Sequence, residues 1–296
     1  MKIKKILLTG GSGFIGRNIL ESTLAEKYEI LAPNHAELDC TNEDSVDRYF
    51  HQHRLDYVIH AATKPGHRNA KDPTNLFYTN TRMFFNLARH TDEYERMFVI
   101  GSGAIYDMRY YHALMKEDEW KLHIPIDEHG FSKYVCESYI EKSKNIVDLR
   151  VFGIFGKYED YAIRFISNMI CKALFDLPLT IRQERHFSYL FVNDLIPVLD
   201  RFMEIVPKYH AYNIVPDEIS GLYNLAQKVL TIMGKTLPIL VDKPGMGLPY
   251  TGDNTRLRTE ITNIHFTSID ESVEDLFNWY VKIKTEINPS FLLEDK

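Results

Sequence analysis

The stretch Thr9-Gly10-Gly11-Ser12-Gly13-Phe14-Ile15-Gly16 decides how this chain is read. It follows an apolar run, Ile3 to Thr9, and opens an amphipathic one, Phe14 to Ala25, so strand, turn and helix stand in the order a phosphate cradle needs. Four of the 15 glycines fall in it, and such crowding calls for a backbone reason. Gly10 and Gly11 suit a tight turn, Gly13 lets main chain approach a pyrophosphate, and Gly16 lets the helix press on the strand. The helix start at Phe14, Ile15 and Gly16 then offers free N–H groups to an anion. The expected ligand is a dinucleotide.

Outward from that turn, short apolar runs alternate with amphipathic stretches. Strands are expected at Ile3 to Thr9, Glu29 to Ala32, Tyr57 to His60, Met97 to Ile100 and Val147 to Phe152. Helices are expected at Phe14 to Ala25, Glu43 to Gln52, Leu76 to His90 and Gly130 to Lys142, the second opening with a Thr41/Asp44 capping pattern. This is the pattern of an α/β protein with a doubly wound parallel sheet. The second half is less regular. Helical patterns run over Ala162 to Leu174, Asn193 to Glu204, Ile219 to Met233 and Glu271 to Lys284, the last preceded by a Ser268/Glu271 capping box, and a strand is expected at His186 to Phe191. With no repeat and no Gly/Ser linker, the expected division is a dinucleotide-binding domain over 1–152, to which 187–207 returns. A smaller, intimately packed substrate region takes 153–186 and 208–296.

The chain has 296 residues, of which 45% are hydrophobic and 26% charged, enough for a substantial core and unlike a disordered chain. Thirty-five basic against 41 acidic residues leave a net charge of −6, which argues against nucleic acid as a partner but leaves room for a local basic pocket. Cys40, Cys136 and Cys171 are odd in number and far apart, so neither a disulfide framework nor a metal site is expected. No apolar run approaches a membrane span, and a soluble cytoplasmic protein is the expectation.

An NAD-binding fold places an acid about 20 residues beyond the glycines, on the ribose hydroxyls. Here Ala32, Pro33, Asn34 and His35 stand there, with Glu29 before and Glu37 beyond, and no Arg is present to embrace a 2′-phosphate. The cofactor is read as NADP or NAD, with NADP placed first.

Several segments in one order resemble the extended short-chain dehydrogenases/reductases, the NAD-dependent epimerase/dehydratase family. These are TGGSGFIG, LDCT (Leu38 to Thr41), VIHAAT (Val58 to Thr63), Asn80, GSGAIY (Gly101 to Tyr106), HGFSKYVCE (His129 to Glu137), FVNDL (Phe191 to Leu195) and YNI (Tyr212 to Ile214). Within the family, AELDCTNEDSV and AATK look most like the GDP-fucose synthase and dTDP-4-dehydrorhamnose reductase branch, which reduces 4-keto sugar nucleotides. The resemblance implies a Rossmann fold, a homodimer and a nucleotide-sugar substrate. It implies cofactor contacts at Gly10, Gly13, Phe14, Ile15, Gly16, Asn34, Asp39, Cys40, Ala61, Ala62, Lys64 and Lys133. Ser102 would hold the substrate C4 oxygen, and Lys133 would bind the nicotinamide ribose and favour deprotonation of the neighbouring acid/base.

Where the family has Tyr four residues before that Lys, this chain has His129. Imidazole titrates near pH 6.5 and can act as acid or base unaided, although it is shorter than phenol, so the proton passes through a water or the sugar binds deeper. The other reading makes His129 a helix-start residue in a silent binding protein. Tyr106 and Tyr134 lack the spacing to replace the phenol. Gly103 and Ala104 stand where dehydratases of the family carry an acid/base pair, and Ala104 and Tyr161 stand where the fucose-synthase branch carries its epimerising Cys and His, leaving hydride chemistry at one carbon.

Lys64 is either near the cofactor phosphates or substrate, or a solvated loop residue. Arg185, with Arg182 close by, is the candidate partner of a substrate diphosphate. Asp194 reads as a helix cap, His60 as structural, and Met83, Phe84 and Phe85 as helix packing or a dimer interface. The reading is an NAD(P)-dependent enzyme reducing a 4-keto sugar nucleotide, with Ser102, His129 and Lys133 as catalytic residues. The alternatives are a sugar-nucleotide 4-epimerase that retains NAD, or a catalytically silent NAD(P)-binding protein.

Overall fold

The computed structural model describes residues 3–66 and 69–293, so the extreme ends of the expected domain ranges lie outside the described residues. The first strands are β1 (Lys5–Thr9), β2 (Glu29–Leu31), β3 (Tyr57–His60), β4 (Arg96–Ser102) and β5 (Ile146–Val151). Between them run α1 (Phe14–Leu20), α2 (Thr23–Lys27), α3 (Glu43–Gln52), α4 (Leu76–Ala88) and α5 (Glu128–Ile140). The later elements are β6 (Gly153–Phe155), α6 (Phe165–Leu174), β7 (Leu179–Glu184), β8 (His186–Phe187), β9 (Tyr189–Phe191), α7 (Leu195–Glu204), β10 (Ala211–Ile214), β11 (Ser220–Gly221), α8 (Leu222–Ile232), β12 (Ile239–Met246), α9 (Thr255–Glu260) and α10 (Ile269–Lys282).

The central sheet has the order β2-β1-β3-β4-β5-β10, and every neighbouring pair is parallel. Because side chains alternate across a strand, Ile6 and Leu8, Tyr57 and Ile59, Phe98 and Ile100 join one core with α1, α2 and α7. Leu7, Val58, Met97 and Val99 join the opposite core with α3, α4 and α5. The sheet is therefore covered on both faces, as a doubly wound fold requires. The chain steps outward from β1 to β2, then returns past β1 to β3. That reversal places a topological switch point between β1 and β3, where the crevice outside the carboxyl ends of the strands accepts ligands. A separate apolar core joins α6, α8 and α10 with Leu179, Ile181 and Phe191.

Several expectations change. The helix over Phe14 to Ala25 is two helices, because Ser22 accepts the Leu24 N–H at 3.2 Å and starts a second one. The cap of α3 is Asn42, which accepts the Ser45 N–H at 2.9 Å, whereas Thr41 donates its hydroxyl to Asp39. The strand over His186 to Phe191 is interrupted at Ser188, whose N–H donates to Tyr250 and whose carbonyl accepts from Gly153. β10 completes the central sheet from within the stretch assigned to the substrate region. Met83 and Phe84 pack in the core formed with α3 and α5, in line with the helix-packing reading, while Phe85 is half-buried. The Ser268/Glu271 capping box forms as expected.

Candidate active site

Gly10, Gly11 and Gly16 of the opening turn are each required by a close approach. A Cβ at Gly10, where φ is +75°, would lie 2.7 Å from the Ala62 nitrogen, and one at Gly16 would lie 2.1 Å from the Gly10 carbonyl oxygen. The turn is thus pressed against the end of β3 at the switch point. Gly13 begins α1 without any side-chain cap, so the opening N–H groups of Phe14, Ile15 and Gly16 are left for an anion. Ala61 and Ala62 donate their N–H groups to the Thr9 carbonyl and hydroxyl, both at 3.3 Å. The Thr9 hydroxyl also stands 2.8 Å from Nδ1 of buried His60, whose ionisation is pushed down to about 3 by burial and by Lys133. His60 is accordingly a neutral structural link between β1 and β3.

The neighbouring segments are occupied by internal bonds. Asn34 accepts the N–H groups of Ala36 and Glu37 at 2.8 and 3.2 Å, and the Glu37 carboxylate folds back onto the Asn34 N–H at 2.8 Å. An acid absent from the end of β2 in sequence is therefore returned there by the turn. The Thr41 hydroxyl holds the Asp39 carboxyl below its ordinary range, and the Cys40 thiol is buried with its ionisation pushed up to about 12. Lys64 pairs with Asp72 at 2.6 Å, while its N–H donates to Asn80 of α4 at 2.7 Å, pinning the loop after β3.

At the end of β4, the Ser102 hydroxyl accepts the Ala104 N–H at 3.1 Å. α5 docks closely beside it, since a Cβ at Gly130 would lie 2.5 Å from the Ala104 carbonyl oxygen. That helix presents His129 and Lys133, one turn apart, on one face. Lys133 Nζ donates to the Ile100 carbonyl at 3.3 Å, so its charge lies near the carboxyl end of β4. The His129 Nδ1 is buried without a hydrogen-bond partner among the described residues. Its ionisation is pushed down to about 4, first by burial, then by Lys133 and Arg164 against the opposing pull of Asp127. The expected acid is thus a neutral imidazole at neutral pH.

Sequence reasoning missed Tyr250. Its hydroxyl stands 3.4 Å from the Ser102 hydroxyl, across 148 residues of chain. Its N–H donates to the His186 carbonyl at 2.8 Å, and its carbonyl accepts from Ser188 at 3.2 Å. No local spacing signals a contact made by such long-range pairing. The Tyr250 ring packs on Phe187, which lines an adjacent cleft of about 390 Å³ with Arg182, Arg185, Lys243, Asn168 and Gln183. Arg185 is steadied there by donating to the Leu248 carbonyl at 2.7 Å. Among the described residues Arg182, Arg185 and Lys243 form no ion pair, so positive charge is concentrated at this cleft in a chain of net charge −6. Tyr161 turns elsewhere, accepting the Asn288 N–H at 3.0 Å.

A family model described as the NAD dependent epimerase/dehydratase family matches residues 6–215. A GDP-L-fucose synthase from Azorhizobium caulinodans is 24% identical over 95% of this chain and 97% of its own length. A GDP-6-deoxy-D-talose 4-dehydrogenase from Aggregatibacter actinomycetemcomitans is also 24% identical, over 92% of this chain and 97% of its own. Among solved structures, a GDP-mannoheptose C4 reductase from Campylobacter jejuni with NADP bound superposes with a TM-score of 0.81 at 17% identity, covering 95% of this chain and 99% of that one.

Proposed function

Because this chain belongs to the NAD dependent epimerase/dehydratase family, we propose that it is an NAD(P)-dependent oxidoreductase that reduces the 4-keto group of a nucleotide-activated sugar. What supports this reading is an uncapped glycine-rich helix start, the Ser102 hydroxyl and Lys133 at the carboxyl ends of strands of one parallel sheet, with a cation-lined cleft linked to Ser102 through Tyr250 and Phe187. The names of the relatives above, all referring to GDP-linked sugars, make a GDP-linked substrate the first to test.

The residues present fit the coenzyme. Gly10, Gly13 and Gly16 leave no side chain over the turn, and the backbone N–H groups of Phe14 to Gly16 suit a diphosphate. Lys133 would face the nicotinamide ribose. When bound, the reduced coenzyme supplies hydride. The chain's own part is orientation: Ser102 donates a hydrogen bond to the ketone oxygen, and Arg182, Arg185 and Lys243 hold the substrate diphosphate in the cleft. The neutral His129 lines the site as a hydrogen-bonding group. Asp39, Cys40 and Asn34, whose side chains are engaged internally, would contribute main chain and surface to the adenosine half. Lys64 would reach a phosphate only by leaving Asp72.

The proposed assembly is a homodimer through α4 and α5, where Tyr78, Phe131 and Tyr139 stay exposed beside the Phe77–Phe131 stack at 4.9 Å. The proposed compartment is the cytoplasm, in keeping with three free buried cysteines. Among the described residues no helix is long and apolar enough to cross a membrane.

Incubation with 4-keto nucleotide sugars and NADPH or NADH, following loss of the reduced-nicotinamide absorbance and the sugar product, tests the reading. Reduction at C4 is expected. Coenzyme binding without turnover of any 4-keto substrate would instead support the silent reading, which rests on His129 standing in the family's Tyr position.

A further inference from the structure

We propose that Tyr250 is the proton donor of this site, passing its hydroxyl proton to the substrate oxygen through Ser102. The inference rests on the reductase reading and deepens it. Three observations bring the two hydroxyls together. Tyr250 and Ser102 are both half-buried, with Ser102 at the carboxyl end of β4. The backbone of Tyr250 is held by two hydrogen bonds to the His186–Ser188 segment, and its ring is packed on Tyr111, Phe152 and Phe187 at 5.1, 4.9 and 5.8 Å. Ser102 accepts the Ala104 N–H and lies 3.4 Å from the Tyr250 hydroxyl, where either oxygen can donate; with Tyr250 donating, the Ser102 proton is left for a ligand. The separation of 3.4 Å is long for an O–H···O bond, as catalytic hydrogen bonds often are before substrate binds.

The step balances. As the substrate carbonyl carbon accepts hydride from the reduced coenzyme, the C=O π pair moves onto oxygen. That oxygen takes the Ser102 proton, the Ser102 oxygen takes the Tyr250 proton, and the tyrosinate is reprotonated from water. Burial opposes that anion, as does Asp127, while the Ser102 hydroxyl, Arg164 and Arg185 favour it. Tyr111 adds a further hydroxyl nearby but donates toward the Gly103 carbonyl. In the resting site burial pushes the Tyr250 ionisation up to about 12, so the proton is in place throughout the neutral range. The neutral His129, in contrast, has no imidazolium proton to give there.

Tyr250→Phe retains the ring and removes only the donor. It is expected to lower kcat by on the order of 10²- to 10⁴-fold while KM for the nucleotide sugar stays within about threefold and the melting temperature is unchanged. A second readout needs no coenzyme. In protein labelled with [13Cζ]tyrosine, the resonance lost in Tyr250→Phe is expected to shift in Ser102→Ala. Retention of wild-type kcat in Tyr250→Phe, or a Tyr250 resonance indifferent to Ser102→Ala, overturns the proposal. A wild-type protein that reduces no 4-keto nucleotide sugar overturns the reductase reading and this donor role with it. The resonance then still decides whether the two hydroxyls are paired.

Discussion

His129 stands where the family carries a phenol, and its surroundings decide what the exchange does. Burial, Lys133 and Arg164 together outweigh Asp127 and hold the imidazole neutral, with its ionisation near 4. If the proton for reduction came from an imidazolium, kcat/KM would fall as pH rises through the ionisation of His129, leaving little activity at neutrality. With Tyr250 as donor, kcat/KM for reduction is expected to be flat between about pH 6 and 9. Steady-state rates across that range decide between the two, and a steady decline across it would return the role to a histidine. The same depression has a consequence for stability. The folded values of His60 and His129 lie below the unfolded value, so the neutral forms favour the fold above about pH 6.5, and that contribution is lost as pH falls toward 4 for His129 and 3 for His60.

At the scale of elements, α5 carries both His129 and Lys133, and its seat is a buried charge network. Arg150, fully buried on β5, binds Asp148 at 2.9 Å and Glu137 of α5 at 2.8 Å, and donates to the Tyr106 hydroxyl at 2.9 Å. Removing one partner of a buried pair leaves the others uncompensated. Arg150→Met is therefore expected to destabilise the fold by about 3–5 kcal/mol in urea unfolding, and a change below about 1 kcal/mol would show that α5 is seated by apolar packing alone. The elements differed in how far the sequence disclosed them. β1, β3, β4 and β5 were legible because strands buried on both faces read as continuous apolar runs. β12 was not: nearly all of it is exposed, it contains Pro244 and Gly245, and its pairing with β7 shifts register beyond Lys243. β10 is only four residues long, and only its pairing with β5 shows that it closes the central sheet.

Across the whole molecule, the crevice joins parts that the chain keeps far apart. The glycine turn, Ser102, His129 and Lys133 were legible because each sits at a strand end or helix start with a fixed local pattern. Tyr250 and the association of Arg182, Arg185 and Lys243 were not, since they depend on how the second lobe folds over the sheet. Glu37 lay between these cases: visible as an acid, but brought back to Asn34 only by the turn after β2. All of the chemistry assigned above depends on where the coenzyme lies. The structure of a crystal soaked with NADP⁺ measures that directly. The diphosphate is expected against the N–H groups of Phe14 to Gly16 and the nicotinamide beside Ser102 and Lys133. A glycine turn left empty in the soaked crystal, or a nicotinamide bound away from Ser102, would contradict it.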